Sequence, residues 1–145
     1  MMRALLACLL SFFLLSCSQA AHSDSSNIER FLHRYFSTWS AKDMTGYGGC
    51  FHATARISFV GKNGQTDSQG LTDFIHGQKL GHERSPVPMT EVPTDIKISG
   101  DDRVAQAAVR WKLSKGSETV TGTDYFTLVK TADGWKIASL VFYND

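Results

Sequence analysis

Five residue groups in this sequence could do chemistry. The first is a lone carboxyl in the stretch Thr119-Val-Thr-Gly-Thr-Asp-Tyr-Phe-Thr-Leu-Val129. Alternate residues of a strand point to opposite faces, so Val120, Gly122, Asp124, Phe126 and Leu128 share one apolar side. Asp124 is the single charge on it. A carboxyl in that position is near water, paired, or kept neutral by burial. The second group is Tyr35, whose phenol could donate a hydrogen bond but whose ring also suits a packed helix face. The histidines His52, His76 and His82 are acid/base candidates, with Glu83 and Arg84 beside His82. Solvent-facing is their default reading, since nothing local fixes their geometry. The spacing of His76 and His82 matches no zinc motif and no Cys pair supports one, so neither a metal nor a cofactor is expected. The fourth is Cys50, with no base in an obvious motif beside it, which reads as a small buried hydrophobe. The last is Cys17, whose context is a targeting signal.

Met1-Met2-Arg3 is a short basic start, and Ala4 to Leu15 is uncharged and mostly apolar. That run is too short to span a bilayer and fits the apolar core of a secretion signal. It ends in Leu14-Leu15-Ser16-Cys17, which resembles the bacterial lipobox, where the Cys is diacylated and becomes the mature N-terminus. The competing reading is cleavage after Ser18-Gln19-Ala20, leaving a soluble periplasmic or secreted protein. Residues 1–16 are therefore expected as a lipoprotein signal, 17–26 as a tether rich in Ser, Ala and Gln, and 27–145 as one domain. Ser18 stands after the Cys where Asp is absent, and by resemblance to enterobacterial sorting this favours the periplasmic side of the outer membrane.

Of the 145 residues, 42% are hydrophobic and 20% charged, a composition that folds around a core. Without Arg3 the 15 basic residues become 14, against 14 acidic, so the exported chain has no formal net charge. No global field attracts nucleic acid or anionic lipid, and nucleic-acid binding is set aside. Cys8 lies in the signal and Cys17 would carry lipid, so Cys50 has no partner for an internal disulfide.

The elements that must position these groups follow from pattern. Ser26 and Glu29 have capping-box spacing, and Ile28, Phe31, Leu32, Tyr35, Phe36 and Trp39 form a continuous apolar helical stripe. Asp43 could cap a short second helix that Gly46, Gly48 and Gly49 loosen. Arg56 to Val60 reads as a strand and Gly61–Gly64 as a turn. Leu71, Phe74, Ile75 and Gln78 suggest a helix from about Gly70 to Leu80. A loop containing Pro86, Pro88 and Pro93 is expected next. Ile96–Ser99, Val104–Leu113, Thr119–Lys130 and Trp135–Tyr143 then read as strands joined by short turns, hence antiparallel hairpins. Helices first and hairpins after predict an α+β domain, about three helices on a curved, mainly antiparallel sheet.

The order of elements and several strings resemble the nuclear transport factor 2-like superfamily, also called SnoaL-like. The matching pieces are Tyr35-Phe36-Ser-Thr-Trp39 with Asp43 four residues on, Phe51 to Phe59, Gly70 opening a helix, Asp124-Tyr-Phe-Thr-Leu-Val-Lys130, and Gly134-Trp-Lys-Ile137. The resemblance implies a cone-shaped fold with a mostly apolar cavity, to be lined by Tyr35, Trp39, Phe51, Phe59, Phe74, Trp111, Asp124 and Phe126. It also implies a comparison with the ketosteroid isomerase branch, where Tyr35 and Asp124 fall at the two hydrogen-bond donors to an enolate. The base of that branch falls by gapless count at Phe59, which cannot take a proton. Dehydratase and cyclase branches move protons with pocket histidines or acids, which makes His76 and His82 candidates and His82-Glu83-Arg84 a lid over the cavity. Trp111, Trp135 and Tyr143 read as sheet packing, and the outer sheet face, with Tyr125 and Val129, as a homodimer surface or as isolated exposed aromatics.

Because this fold hosts many activities, three functional readings stand. The first is an exported, lipid-anchored module that holds a small, mostly apolar molecule in its cone. The second is a cofactor-independent isomerase, dehydratase or cyclase using Asp124 and Tyr35, with His76 or His82. The third is an envelope interaction domain whose cavity is filled by its own side chains.

Overall fold

The computed structural model of the chain describes the backbone from residue 13 and the side chains from residue 25. The signal expected over residues 1–16 falls mostly outside this range, as does the side chain of Cys17. Helix α1 (Phe13–Ser40) is followed by the short α2 (Met44–Gly48), strand β1 (Phe51–Val60), strand β2 (Thr66–Gly70) and helix α3 (Leu71–Arg84). Strands β3 (Met89–Gly100), β4 (Val104–Lys115), β5 (Glu118–Thr131) and β6 (Gly134–Asn144) complete the chain. The six strands form one sheet in the order β2-β1-β6-β5-β4-β3. Every pairing is antiparallel except β1 with β6.

The apolar stripe of α1 buries as its spacing predicts: Ile28, Phe31, Leu32, Tyr35, Phe36 and Trp39 are all buried. They meet the inward-facing residues of the sheet, Ala105, Ala107 and Val109 on β4, Phe126 and Leu128 on β5, and Ile137 and Leu140 on β6. Burying each such large side chain contributes about 1.5–3 kcal/mol. Ser26 and Glu29, however, lie exposed within α1 rather than at its start. A helix already nucleated extends at one hydrogen bond per residue, and the backbone of 13–25 continues it, including most of the segment expected as a tether.

Helix α1 ends on a Schellman turn. Asp43 N–H reaches Thr38 C=O and Lys42 N–H reaches Trp39 C=O, both at 2.9 Å, with Lys42 in the left-handed region at φ 61°. Asp43 then caps α2, accepting from the Gly46 amide at 2.8 Å, as its position suggested. Cys50 is fully buried and free, and burial pushes its thiol up.

The structure adds to the expected strands. Strand β2 pairs with β1 over residues 66–70, which the sequence pattern assigns to no strand, and β3 begins at Met89, inside the expected proline loop. β3 is an edge strand, and a register shift follows Pro93, so the missing proline N–H costs the ladder little. Helix α3 also runs four residues past Leu80, which places His82, Glu83 and Arg84 in its last turn rather than in a lid loop.

Candidate functional site

The inner faces of α1, α2, α3 and the sheet enclose a cavity of about 140 Å³. Its floor is buried: Tyr35 and Trp39 on α1, Tyr47 on α2, Phe74 on α3, Trp111 on β4 and Asp124 on β5. Gln78, Leu113, Phe142 and Asn144 are more exposed and form the mouth. Six aromatic rings line this space, and no Lys, Arg or His does.

Asp124 reaches the cavity because β5 alternates as its sequence implies, with Gly122, Asp124, Phe126 and Leu128 all buried. Trp111 lies opposite Gly122 in the ladder, and its indole N–H donates to Asp124 Oδ1 at 2.7 Å. Gly122 makes this arrangement fit. A Cβ there would overlap the Trp111 ring and the Tyr143 carbonyl. Of the states open to this carboxyl, the structure thus shows it paired, with Trp111. The Tyr35 hydroxyl instead accepts from Tyr47 at 2.9 Å, across a buried pair of rings 4.8 Å apart.

A second carboxyl enters from the edge. Glu91 lines the same cavity, and its backbone is clamped by Ser40 at the end of α1. Ser40 Oγ donates to Glu91 C=O at 3.0 Å and accepts from Glu91 N–H at 2.9 Å. That double bond to the edge strand turns the Glu91 side chain inward. Although the residue as a whole is half-buried, its carboxyl sits deep enough that burial, helped by the Asp124 charge, pushes its pKa up to about 8. Burial likewise raises Asp124, to about 7, with the Trp111 hydrogen bond opposing the rise. The Asp124 charge acts on Glu91, so the two titrations are linked. Burial raises both tyrosine phenols well above their ordinary value, so they stay protonated donors.

Of the remaining expected lining residues, Phe126 and Phe51 lie behind Tyr35, at ring distances of 5.2 and 5.9 Å. Phe59 packs on Phe142 at 5.3 Å and does not line the cavity. The position counted for a base is thus outside the site, and Glu91 is the acid that sequence reading missed. Tyr47, Gln78, Leu113, Leu140, Phe142 and Asn144 were missed as well.

The histidines separate. His76 is exposed on α3, and His52 bonds the Thr54 hydroxyl at 2.8 Å on the opening of β1. His82 is not solvent-facing: it is 5% exposed and stacks on Trp39 at 4.3 Å. Neither ring nitrogen has a hydrogen-bond partner among the described residues. Burial, with Lys42 nearby, holds its pKa below the ordinary value, and the Trp39 carbonyl opposes this without reaching hydrogen-bond geometry. Trp39 in turn donates its indole N–H to Gln78 Oε1 at 2.8 Å, so His82 supports one wall of the cavity from outside it. Among the described residues, no group of three or more His, Cys, Asp or Glu is placed to hold a metal ion.

A cone of helices on a six-stranded mixed sheet, with a carboxyl-bearing aromatic cavity, is the nuclear transport factor 2-like fold. The chain belongs to the family described as "Putative lumazine-binding", which matches residues 23–143. A protein of unknown function from Mycobacterium tuberculosis is similar in structure, with TM-score 0.74 and 21% identity over 88% of this chain and 75% of that one. A "Putative Scytalone Dehydratase" from Novosphingobium aromaticivorans has TM-score 0.72 and 16% identity, covering 88% of each chain. An NTF-2 like protein of unknown function from Shewanella oneidensis has TM-score 0.65 and 19% identity over 82% and 98%. No curated protein matches the sequence significantly. At these identities the likeness concerns the fold, and activity has to be argued from the site.

Proposed function

We propose that this protein binds a small, mostly apolar molecule in its cone and recognises it through Asp124 and Glu91. The observation that carries this reading is the pair of buried carboxyls facing an aromatic cavity of about 140 Å³. Burying ionisable groups costs stability, and a cavity that the protein's own side chains leave open argues against an interaction domain filled by them. The family description is consistent with a small-molecule ligand. The lipobox residues Leu14–Cys17 support an anchored location in the bacterial envelope, on the periplasmic side of the outer membrane. Tyr125, 49% exposed, with Tyr143 beside it on the outer sheet face at 6.3 Å, supports a homodimer through that face.

Native mass spectrometry of protein extracted from its own membranes in mild detergent tests the reading. A retained small molecule, lost from Asp124→Asn, is the expected result. Wild-type protein that stays empty in extracts and in soaks with small aromatic probes would end it. The same spectra report lipid on Cys17 and subunit number.

The second reading is cofactor-independent proton transfer. It is favoured by the burial of both acids, which raises Asp124 to about 7 and Glu91 to about 8, toward the range where an acid/base catalyst is most effective. Asp124 or Glu91 would move the proton, with the Tyr35 phenol, itself accepting from Tyr47, as donor to the developing oxyanion. Deuterium uptake alpha to the carbonyl of small cyclic ketones in heavy water, absent from Asp124→Asn, is the outcome it requires. Uptake no faster than buffer removes it.

A further inference from the structure

The cone holds an unusual combination of walls and charge. Six rings line it, Tyr35, Trp39, Tyr47, Phe74, Trp111 and Phe142, and the face of an aromatic ring carries its partial negative charge. The element-by-element count of charged groups facing the cavity is equally lopsided. Helices α1 and α2 offer only phenols, and α3 offers the neutral Gln78. Strands β4 and β6 offer nothing charged, while β3 and β5 supply Glu91 and Asp124. Lys42 and His82 do not line the cavity; His82 packs on Trp39 from outside it, with Lys42 acting on the imidazole. An anionic guest would meet two carboxyls with no counter-charge. A neutral guest would leave one of them unsatisfied whenever the pair ionises.

From this arrangement we propose that the cavity's ligand is a small organic cation, an ammonium or alkylammonium carried on a compact apolar body. The inference rests on the binding function proposed above and names its ligand class. Cations bind over aromatic faces, most strongly where water is excluded, and a desolvated carboxylate adds direct charge pairing. Size agrees: about 140 Å³ is close to the volume of cavities that take one benzene ring, which a trimethylammonium head also fills. Once ionised, Asp124 is a counter-ion fixed in place by Trp111, and Glu91, held through its backbone, is a second one with a freer side chain.

The choice of cation over a neutral hydrogen-bond acceptor gives affinity a definite sign with pH. The empty pair is protonated in mild acid because burial raises both groups. A cation must displace a proton there, so its affinity rises with pH by up to about tenfold per unit until the pair is ionised. A carbonyl or enolate ligand, which accepts from the protonated acid, must show the opposite slope.

The test uses choline as probe and 3,3-dimethylbutan-1-ol as its neutral isostere, followed by calorimetry and by the fluorescence of Trp39 and Trp111. Choline binding at least tenfold tighter than the isostere at about pH 8, weakening toward about pH 5, is the expected result. Asp124→Asn and Glu91→Gln should each remove most of that preference, with thermal melts reporting that both variants are still folded. Equal affinities for the two probes, or choline affinity that falls with rising pH, overturns the cation and leaves the binding function standing. Failure of both probes to bind folded protein overturns both proposals.

Discussion

Asp124 and Glu91 enter one cavity from unlike parts of the sheet. Asp124 rises from β5, hydrogen-bonded on both sides by β4 and β6, and its own carboxyl is held by the Trp111 indole. Glu91 comes from the edge strand β3, where one helix residue, Ser40, holds its backbone. The central acid is thus positioned by packing and the edge acid by docking of α1. A cone needs both kinds of support, because the sheet alone cannot close around the space it curves over.

Breaking the central region should cost most. Gly122→Ala puts a methyl into the Trp111 ring and the Tyr143 carbonyl, so β5 must shift or Trp111 must leave Asp124. A loss of about 3 kcal/mol or more in urea denaturation is expected. Next comes the pair's effect on pH stability. Its folded pKa values lie above the unfolded ones, so the folded state binds the extra protons. Stability is greatest near pH 4 and falls as pH rises through about 7 to 8. Asp124→Asn should flatten that decline and leave the variant more stable than wild type at about pH 8, by on the order of 2 kcal/mol. A thermal-melt series across pH checks this.

Removing the edge clamp should cost less. Ser40→Ala leaves the Glu91 N–H and C=O unpaired, for a loss of about 1–2 kcal/mol, while the Trp111 indole resonance stays where it is. The smallest effect is expected behind the wall. His82→Phe replaces an imidazole without partners by a ring that also packs on Trp39, for a gain of about 1 kcal/mol. Because burial depresses the folded pKa of His82, its own contribution is present above the unfolded value and is lost as pH falls through the folded one. The variant's advantage should therefore widen below about pH 6, as acid melts would report.

Much of this was legible in the sequence, and the boundary falls where pattern stops. The stripe from Ile28 to Trp39 and the alternation around Asp124 are strongly periodic, so α1, β5 and the isolated acid could be read directly. Glu91 could not. It sits between Pro88 and Pro93 in a segment whose prolines suggest a loop, and only the edge position of β3 with its irregularity after Pro93 lets a strand form there. Once that strand is known, Met89, Glu91 and Pro93 alternate with the exposed Thr90 and Val92, a signal that was present but unread. Strand β2 carries no apolar face at all, with Thr66, Asp67 and Ser68 exposed, and pairing alone defines it. Tyr47 needed the Schellman turn at Lys42 to be aimed, a left-handed residue that no glycine announces. His82 misled for the same reason as β3. Extending α3 by one turn moves it from a surface loop into the core.

The account stands on two buried carboxyls whose pKa values burial raises toward neutrality inside an aromatic cone. Carboxyl carbon NMR of Asp124 and Glu91, followed from about pH 3 to 10 in the ligand-free protein, measures that most directly. Titration of the pair near 7 and 8, with each resonance responding to both steps, is the expected result. Two independent titrations near pH 4 would show solvated carboxylates, and would contradict the account.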